Sequence, residues 1–224
     1  MNKKSLFVLS AGAAVALTSS AVAEMEFFDA AGDELNNNHN LDLTRVKVSN
    51  TETTLLLEVQ VMELHSDWGK HMVFIETGAD GHSGNSNPWF RNVDHSGNVI
   101  SHFIGSWLDG GGGAALSQYN AGSDSWDSTG NVSKSIDWNN HTFTYEIALV
   151  DLGVSLGDTI RFDIASTGGG NGDPAVDMFS SGTHGTWGGG SNLGSDLLEY
   201  QIVPGPGALA LFGLSGLFAR RRRA

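Results

Sequence analysis

Alternating apolar and polar residues mark one segment of the chain with particular clarity, from Thr54 to Val61. Every second position of this segment (TLLLEVQV) is leucine or valine, and the positions between them are mostly polar. A period of two is typical of a half-buried β-strand, whose side chains point alternately to opposite faces. Similar runs predict further strands at Leu43–Val48, His71–Thr77, Val99–Ile104, His141–Leu149, Asp158–Ala165 and Leu197–Val203.

The segments between the predicted strands have the composition of turns and loops. The chain contains 30 glycines and 4 prolines, and Asn, Asp and Ser are frequent between the apolar runs, as is typical of turns. No regular alternation of helices and strands is visible, which argues against a doubly wound α/β fold. We therefore predict an all-β fold of roughly seven to ten short strands, arranged as an antiparallel, jelly-roll-like β-sandwich over residues 24–203.

The first 23 residues have the pattern of a secretory signal peptide. Lys3 and Lys4 form a positively charged N-terminal region, and Leu6–Leu17 form an apolar core. Ala21 and Ala23 are the small residues of a cleavage site. An apolar core of about a dozen residues is too short for a retained membrane anchor. We expect this signal helix to be removed by signal peptidase during export.

A different membrane pattern occupies residues 204–224. At about 1.5 Å per residue, the uncharged apolar run 207–219 spans only about 20 Å of a hydrocarbon core about 30 Å thick. Arginines cross a bilayer at high cost, so the basic residues after the run stay on the cytoplasmic side. The pattern predicts a short transmembrane helix that either spans the bilayer with help from Ile202, Val203 and snorkelling arginines or spans it only transiently. Its polar parts are Pro204, Gly205 and Pro206 before the run, and Arg220, Arg221, Arg222 and Arg223 after it.

This tail resembles the C-terminal sorting signal of exosortase substrates, the PEP-CTERM family. In that signal a Pro-Glu-Pro motif precedes a short transmembrane helix and a basic cluster. Here Pro204 and Pro206 match the two prolines, and Gly205 replaces the glutamate. The resemblance implies that the tail is held transiently in the inner membrane and is cut near the prolines by an exosortase-like membrane enzyme. The body is then transferred to the cell surface or extracellular matrix. An ordinary C-terminal anchor is the alternative. The same tail family also carries an ice-binding label, although the body shows no regular threonine array.

The body between the two targeting segments is strongly acidic. It contains six basic residues against all 25 acidic residues of the chain, a formal charge of −19. Such a surface repels the phosphates of nucleic acids, so we expect no nucleic-acid partner. Divalent cations and neutral glycans remain compatible with it. The chain has no cysteine, which excludes disulfides and thiolate metal sites.

The body also resembles, loosely, the sandwich domains related to family 9 carbohydrate-binding modules and the DOMON group. Three segments carry this likeness: Asp29–Asp33 before Leu41–Leu43, Trp68 before the predicted strand at His71, and Tyr145–Leu149 before Asp151–Gly153. The resemblance implies a sandwich fold and a glycan ligand, and it identifies no binding residues.

Aspartates near the start of the predicted body are candidate ligands for one structural calcium ion. Asp29, Asp33 and Asp42 lie close together in sequence, and calcium is held by about six to eight oxygen donors from such loops. Asp and Asn also favour turns without any metal, so surface turn chemistry is the alternative. Two other loops have a similar composition, one with Asp80, Asn85 and Asn87, the other with Asp94 and Asn98.

Four tryptophans in polar or glycine-rich surroundings are candidates for glycan binding. Indole faces stack on the apolar face of a sugar ring, and nearby Asn and Asp side chains bind its hydroxyls. Packing in the core or anchoring of loops is the alternative. The four are Trp89, Trp107, Trp126 and Trp187.

Catalytic and transition-metal signals are weak. No Gly-x-Ser-x-Gly elbow or His-Glu-x-x-His motif is present, and so many acids make pairs of carboxylates uninformative about glycosidase activity. His65 and His71 come nearest to a metal pair, but a predicted turn separates them. The sequence predicts a non-enzymatic structural or matrix-binding protein. A carbohydrate-binding module with one specific glycan is the first alternative, and a glycan-active enzyme is the second.

Overall fold

The computed structural model describes residues 24–65 and 68–204. The predicted signal helix with Ala21 and Ala23, the predicted transmembrane helix, and Gly205, Pro206 and Arg220–Arg223 lie outside these residues. No helix within the described range is long and apolar enough to cross a membrane. Besides strands, this range contains three short 3₁₀ turns, Pro88–Phe90, Asp109–Gly111 and Leu149–Leu152.

Fourteen strands are present in the described range, so the predicted number was too low. The strand predicted at Thr54–Val61 has the bounds that are observed. Two of the unpredicted strands are only two residues long, and two others, SWDSTGN and SKSID, are rich in Ser and Asp, so their alternation is weak. The strands are β1 Glu24–Phe28, β2 Leu43–Asn50, β3 Thr54–Val61, β4 Lys70–Glu76, β5 Val93–Asp94, β6 His102–Trp107, β7 Gly113–Asn120, β8 Ser125–Asn131, β9 Ser133–Asp137, β10 Thr142–Ala148, β11 Thr159–Thr167, β12 Ala175–Met178, β13 Ser191–Asn192 and β14 Leu198–Gln201.

Two antiparallel sheets contain most of these strands. The first sheet has the order β1-β2-β3-β10-β9, and the second has the order β12-β11-β4-β6-β7-β8, with β14 also paired to β11. The short strands β5 and β13 form a separate parallel pair. The all-β, antiparallel character of the predicted fold is confirmed, and the arrangement is consistent with a β-sandwich.

The main core is a cluster of apolar side chains contributed by both sheets, called here the inner cluster. In β3, buried side chains alternate with partly exposed ones, as the period of two predicts. Leu57 and Val59 of the first sheet and Phe162 and Ile164 of the second sheet belong to this cluster and are fully buried. Burying a side chain of this size contributes about 1.5–3 kcal/mol. The inner cluster is therefore a major source of stability for a chain without disulfides.

A second, smaller apolar cluster, the outer cluster, lies on the other face of the second sheet. Met72, Phe74 and Phe103 of the sheet pack there with Val93 of β5 and with Leu193, which follows β13. β4 is consequently buried along most of its length, in agreement with its unbroken apolar run MVFI. The glycine-rich segments that carry β5 and β13 are thus packed parts of the fold.

The C-terminal end of the described chain is tied to β2 by one buried side chain. Asn50 accepts hydrogen bonds from the Tyr200 hydroxyl (2.7 Å) and from the Val203 N–H (3.1 Å). Its amide group also donates to the Val203 carbonyl at 2.9 Å. Asn50 is 2% exposed, so water does not compete with these bonds. The chain is therefore fixed to the body up to the residue before Pro204.

Candidate functional site

The four tryptophans predicted to bind glycans have different surroundings. Trp89 and Trp126 are partly buried and pack against the outer cluster. The Trp126 indole N–H also donates to Ser86 Oγ at 3.0 Å. Trp107 ends β6, and its ring lies so close to Gly113 that an added Cβ there would collide with it. These three side chains have the surroundings of anchors, which was the alternative interpretation of their pattern.

Trp187, the fourth candidate, lies beside a second exposed indole that the sequence did not single out for binding. The ring centroids of Trp68 and Trp187 are 6.3 Å apart, with an angle of 53° between the ring planes. Trp68 is 41% exposed and Trp187 is 44% exposed. We call these two residues the tryptophan pair. Such a pair offers adjoining apolar surfaces to solvent.

The backbone beside the tryptophan pair is shaped by a glycine after β11. An added Cβ at Gly168 would lie 2.7 Å from Cζ3 of Trp187 and would also collide with the Asp173 carboxylate. Only glycine therefore allows the indole and the carboxylate to approach this stretch together. On the other side, Asn40 Nδ2 donates to the Trp68 carbonyl at 3.0 Å and holds that residue against the body.

Polar groups accompany the tryptophan pair. Lys70 begins β4, and its Cε would be 3.9 Å from a Cβ added at Gly169, so its stem lies along the same glycine stretch. The Lys70 ammonium forms an ion pair with Asp109. Donors and acceptors at the edge of exposed aromatic faces are the combination that binds sugar rings and their hydroxyls.

A second set of residues gathers around the predicted calcium ligands. Carboxylate oxygens of Asp29, Asp33 and Asp177 all lie within 4.8 Å of one another. Asp42 Oδ2 accepts a hydrogen bond from the N–H of Gly32 at 2.7 Å, so Asp42 faces the same turn. The structure brings Asp29 and Asp33 together, places Asp42 beside them, and adds Asp177. The only sequence signal for Asp177 is that it is an acid within the otherwise apolar strand β12 (AVDM).

The Asp177 carboxylate is fully buried and links the two sheets. Its Oδ2 accepts a hydrogen bond from the Leu43 N–H at 2.6 Å, and its Oδ1 accepts one from the Met178 N–H at 2.8 Å. Burial raises the pKa of Asp177 to about 8, and the nearby charges of Asp29 and Asp33 act in the same direction. Burial also raises the pKa of Asp42. Without a cation, the ionised form of these carboxyls is therefore disfavoured, because the protein provides little solvation for it.

The other oxygen-rich loops form turns. Asp94 Oδ1 accepts a hydrogen bond from the Ser96 N–H at 2.7 Å, and Asn85 Oδ1 accepts one from the Asn87 N–H at 3.0 Å. The Asn98 amide donates to the His95 carbonyl at 2.7 Å. These short-range hydrogen bonds are the turn chemistry that Asp and Asn favour without a metal.

A partly buried lysine belongs to a further polar group that sequence reasoning missed. Lys134 Nζ donates to Ser106 Oγ (2.8 Å) and to the Trp107 carbonyl (2.9 Å), and it lies 5.1 Å from the centre of the Phe143 ring. Burial lowers the pKa of Lys134 to about 8. Because Ser106 is fully buried, a substrate has no direct access to this hydroxyl. The lysine connects β9 of the first sheet to β6 of the second.

Comparison with known proteins gives no information on the roles of these residues. No protein-family model, curated protein or solved structure matches this chain at a significant level. The tryptophan pair and the aspartates are therefore interpreted from their own geometry, and the resemblances stated for the tail and the body stay predictions.

Proposed function

We propose that the chain is an exported, non-enzymatic protein of the cell surface or extracellular polysaccharide matrix, and that the tryptophan pair binds neutral glycans there. The observation that carries this proposal is the exposure of two adjacent indoles, Trp68 and Trp187. A solvent-exposed aromatic pair leaves apolar surface in water, which a bound sugar ring would cover. The jelly-roll-like sandwich of a carbohydrate-binding module, implied by the resemblance, belongs to the same proposal.

The charge of the body supports neutral rather than anionic glycans. Its formal charge of −19 disfavours sulfated or uronic-acid polymers through long-range repulsion. Beside the tryptophan pair, the Asp173 carboxylate supplies acceptor oxygens for sugar hydroxyls, and Lys70 supplies donors. Hydrogen bonds of this kind orient a ring that stacking alone would bind in several positions.

Alanine substitutions test the proposed binding face. We expect Trp68→Ala and Trp187→Ala each to weaken binding to a neutral polysaccharide by about 10-fold or more, because loss of a central aromatic contact costs upwards of about 1.4 kcal/mol. Affinity electrophoresis in gels containing a neutral or a sulfated polysaccharide measures the change. The neutral gel is expected to retard the wild-type protein more strongly.

Trp138→Ala is the matched control, since Trp138 is also 41% exposed but is not part of the pair. It is expected to leave migration unchanged. Equal retardation of the wild type and the Trp68→Ala/Trp187→Ala double variant would contradict the proposed face. So would an equal loss of binding in Trp138→Ala.

Export and sorting form the second part of the proposal, and the tail sequence supports them. The apolar run ends in Arg220–Arg223 and follows a proline motif, which resembles the exosortase signal. In native cells with an exosortase, mass spectrometry of the outer fraction is expected to show chains that end near Pro204–Pro206. A Pro204→Ala/Pro206→Ala variant is expected to keep its tail in the inner membrane. Wild-type chains in the outer fraction with intact C-terminal arginines would rule the sorting out.

A further inference from the structure

Four aspartates from three separate parts of the chain meet beside the turn that follows β1. Asp29 and Asp33 lie in this turn, Asp42 precedes β2, and Asp177 lies in β12. We propose that Asp29, Asp33, Asp42 and Asp177 form a calcium-binding site that joins the end of β1 to both sheets. This site is independent of the tryptophan pair and of the sorting tail.

Unpaired buried oxygens are the observation that distinguishes this group from an ordinary acidic surface. Asp42 is 0% exposed, and its Oδ1 has no hydrogen-bond partner among the described residues. Its other oxygen binds the Gly32 N–H, which directs the carboxylate at the turn between Asp29 and Asp33. Asp29 Oδ2 is likewise buried without a partner. A buried carboxylate oxygen without a donor is costly unless a cation compensates it.

The protein itself supplies little positive charge to this group. Among residues 24–65 and 68–204, no lysine or arginine forms an ion pair with any of the four aspartates. The opposite-charge interactions that act on Asp29 and Asp42 come from histidines, His184 and His39 respectively. A divalent cation would neutralise charge that the described side chains leave unbalanced.

Ligand chemistry and size favour calcium over other divalent cations. All four side chains offer hard oxygen donors, as calcium prefers, and the chain has no cysteine for zinc. Oxygens on opposite sides of a calcium ion are about 4.8 Å apart, because each bond is about 2.4 Å long. The carboxylate oxygens of Asp29, Asp33 and Asp177 all fall within that separation. Magnesium would require shorter bonds and a stricter octahedron.

The position of the site gives it a mechanical role. Among the strands of the described residues, β1 is an edge strand whose one partner is β2, and most of its side chains are exposed. Asp177 already ties β12 of the second sheet to Leu43 of the first. Calcium would extend this link to Asp29, directly after β1, and so fix the edge strand in place.

Calorimetry and thermal unfolding test the site in the full chain, purified in mild detergent and treated with a chelator. We expect calcium chloride to bind with one-to-one stoichiometry and to raise the melting temperature by about 5–10 °C at saturation. Magnesium chloride is expected to give a clearly smaller shift. Absence of both heat and stabilisation with calcium would overturn the proposal, and an equal shift with magnesium would overturn the assignment to calcium.

Two variants locate the binding. Asp177→Asn is expected to weaken calcium affinity by about 10-fold or more. Because this buried change also risks folding, Asp33→Asn is the second variant: Asp33 is exposed, so its loss should reduce affinity while the melting temperature without calcium stays constant. Asp80→Asn, in another oxygen-rich loop, is the matched control and should bind like the wild type. Unchanged affinity in the Asp33 variant, or lost affinity in the Asp80 variant, would place any calcium elsewhere.

Discussion

Phe162→Ala is expected to lower the free energy of unfolding by about 3–5 kcal/mol, the usual cost of removing a buried aromatic ring from a core. Phe162 is 0% exposed and lies in β11 between Ile75 of β4 and Leu198 of β14. The centroids of the Phe162 and Phe27 rings are 6.0 Å apart, and the rings are nearly perpendicular. Truncation would therefore remove inner-cluster contacts and also loosen β1. Urea denaturation followed by tryptophan fluorescence measures the change.

Phe28→Ala is the matched control for this prediction. Phe28 is the neighbour of Phe27 in β1 but is 71% exposed, so its truncation should change the free energy of unfolding by less than about 0.5 kcal/mol. Equal effects of the two substitutions would mean that the Phe162 ring is not packed in the inner cluster.

Asp163→Asn is expected to remove a marked pH dependence of stability. Asp163 is 0% exposed, and its Oδ1 accepts hydrogen bonds from the N–H groups of Ile164, Phe179 and Ser180. Burial raises the pKa of this carboxyl to about 7 in the folded chain, from 3.8. Between about pH 4 and pH 7, the folded chain thus holds a proton that the unfolded chain has lost.

The sign of the effect follows from this extra proton. As pH rises through that range, Asp163 lowers the stability of the wild-type protein by about 1.4 kcal/mol per pH unit. Asparagine does not titrate, so the stability curve of the variant should be flatter by this slope. Urea denaturation at a series of pH values, with chelator present, measures both curves. The exposed Asp80→Asn variant should run parallel to the wild type, and a parallel Asp163→Asn curve would refute the prediction.

Local patterns predicted the strands whose two faces differ in burial. In Thr54–Val61 the period of two alone specifies the strand, because each second side chain enters the inner cluster. β8 (SWDSTGN) was missed because its side chains are mostly exposed or only partly buried. In the sheet it is held by pairing with β7, which its own composition does not predict. The burial of the second sheet's outer face was not predicted, because the segments that cover this face are glycine-rich and resemble open loops in sequence.

The candidate sites show where sequence reasoning ends. Asp29 and Asp33 were predicted together because four positions separate them, whereas Asp177 arrives only through the pairing of β12 with β11. Trp187 was predicted from its glycine-rich surroundings, but its partner Trp68 lies more than a hundred residues earlier. Contacts between residues so distant in sequence depend on sheet topology, which local composition does not specify.

The hydrogen bonds of Asn50 have a consequence for how the protein would stand at a membrane. Asn50 ends β2, and Leu43, joined to Asp177, begins it about 23 Å away. Trp68, held by Asn40, lies near the Leu43 end. If the tail is held in a membrane as proposed, the attachment at Pro204 would lie near the Asn50 end of β2, and Trp68 would lie near the other end. The proposed glycan-binding face and the proposed cleavage point would then lie at opposite ends of this strand.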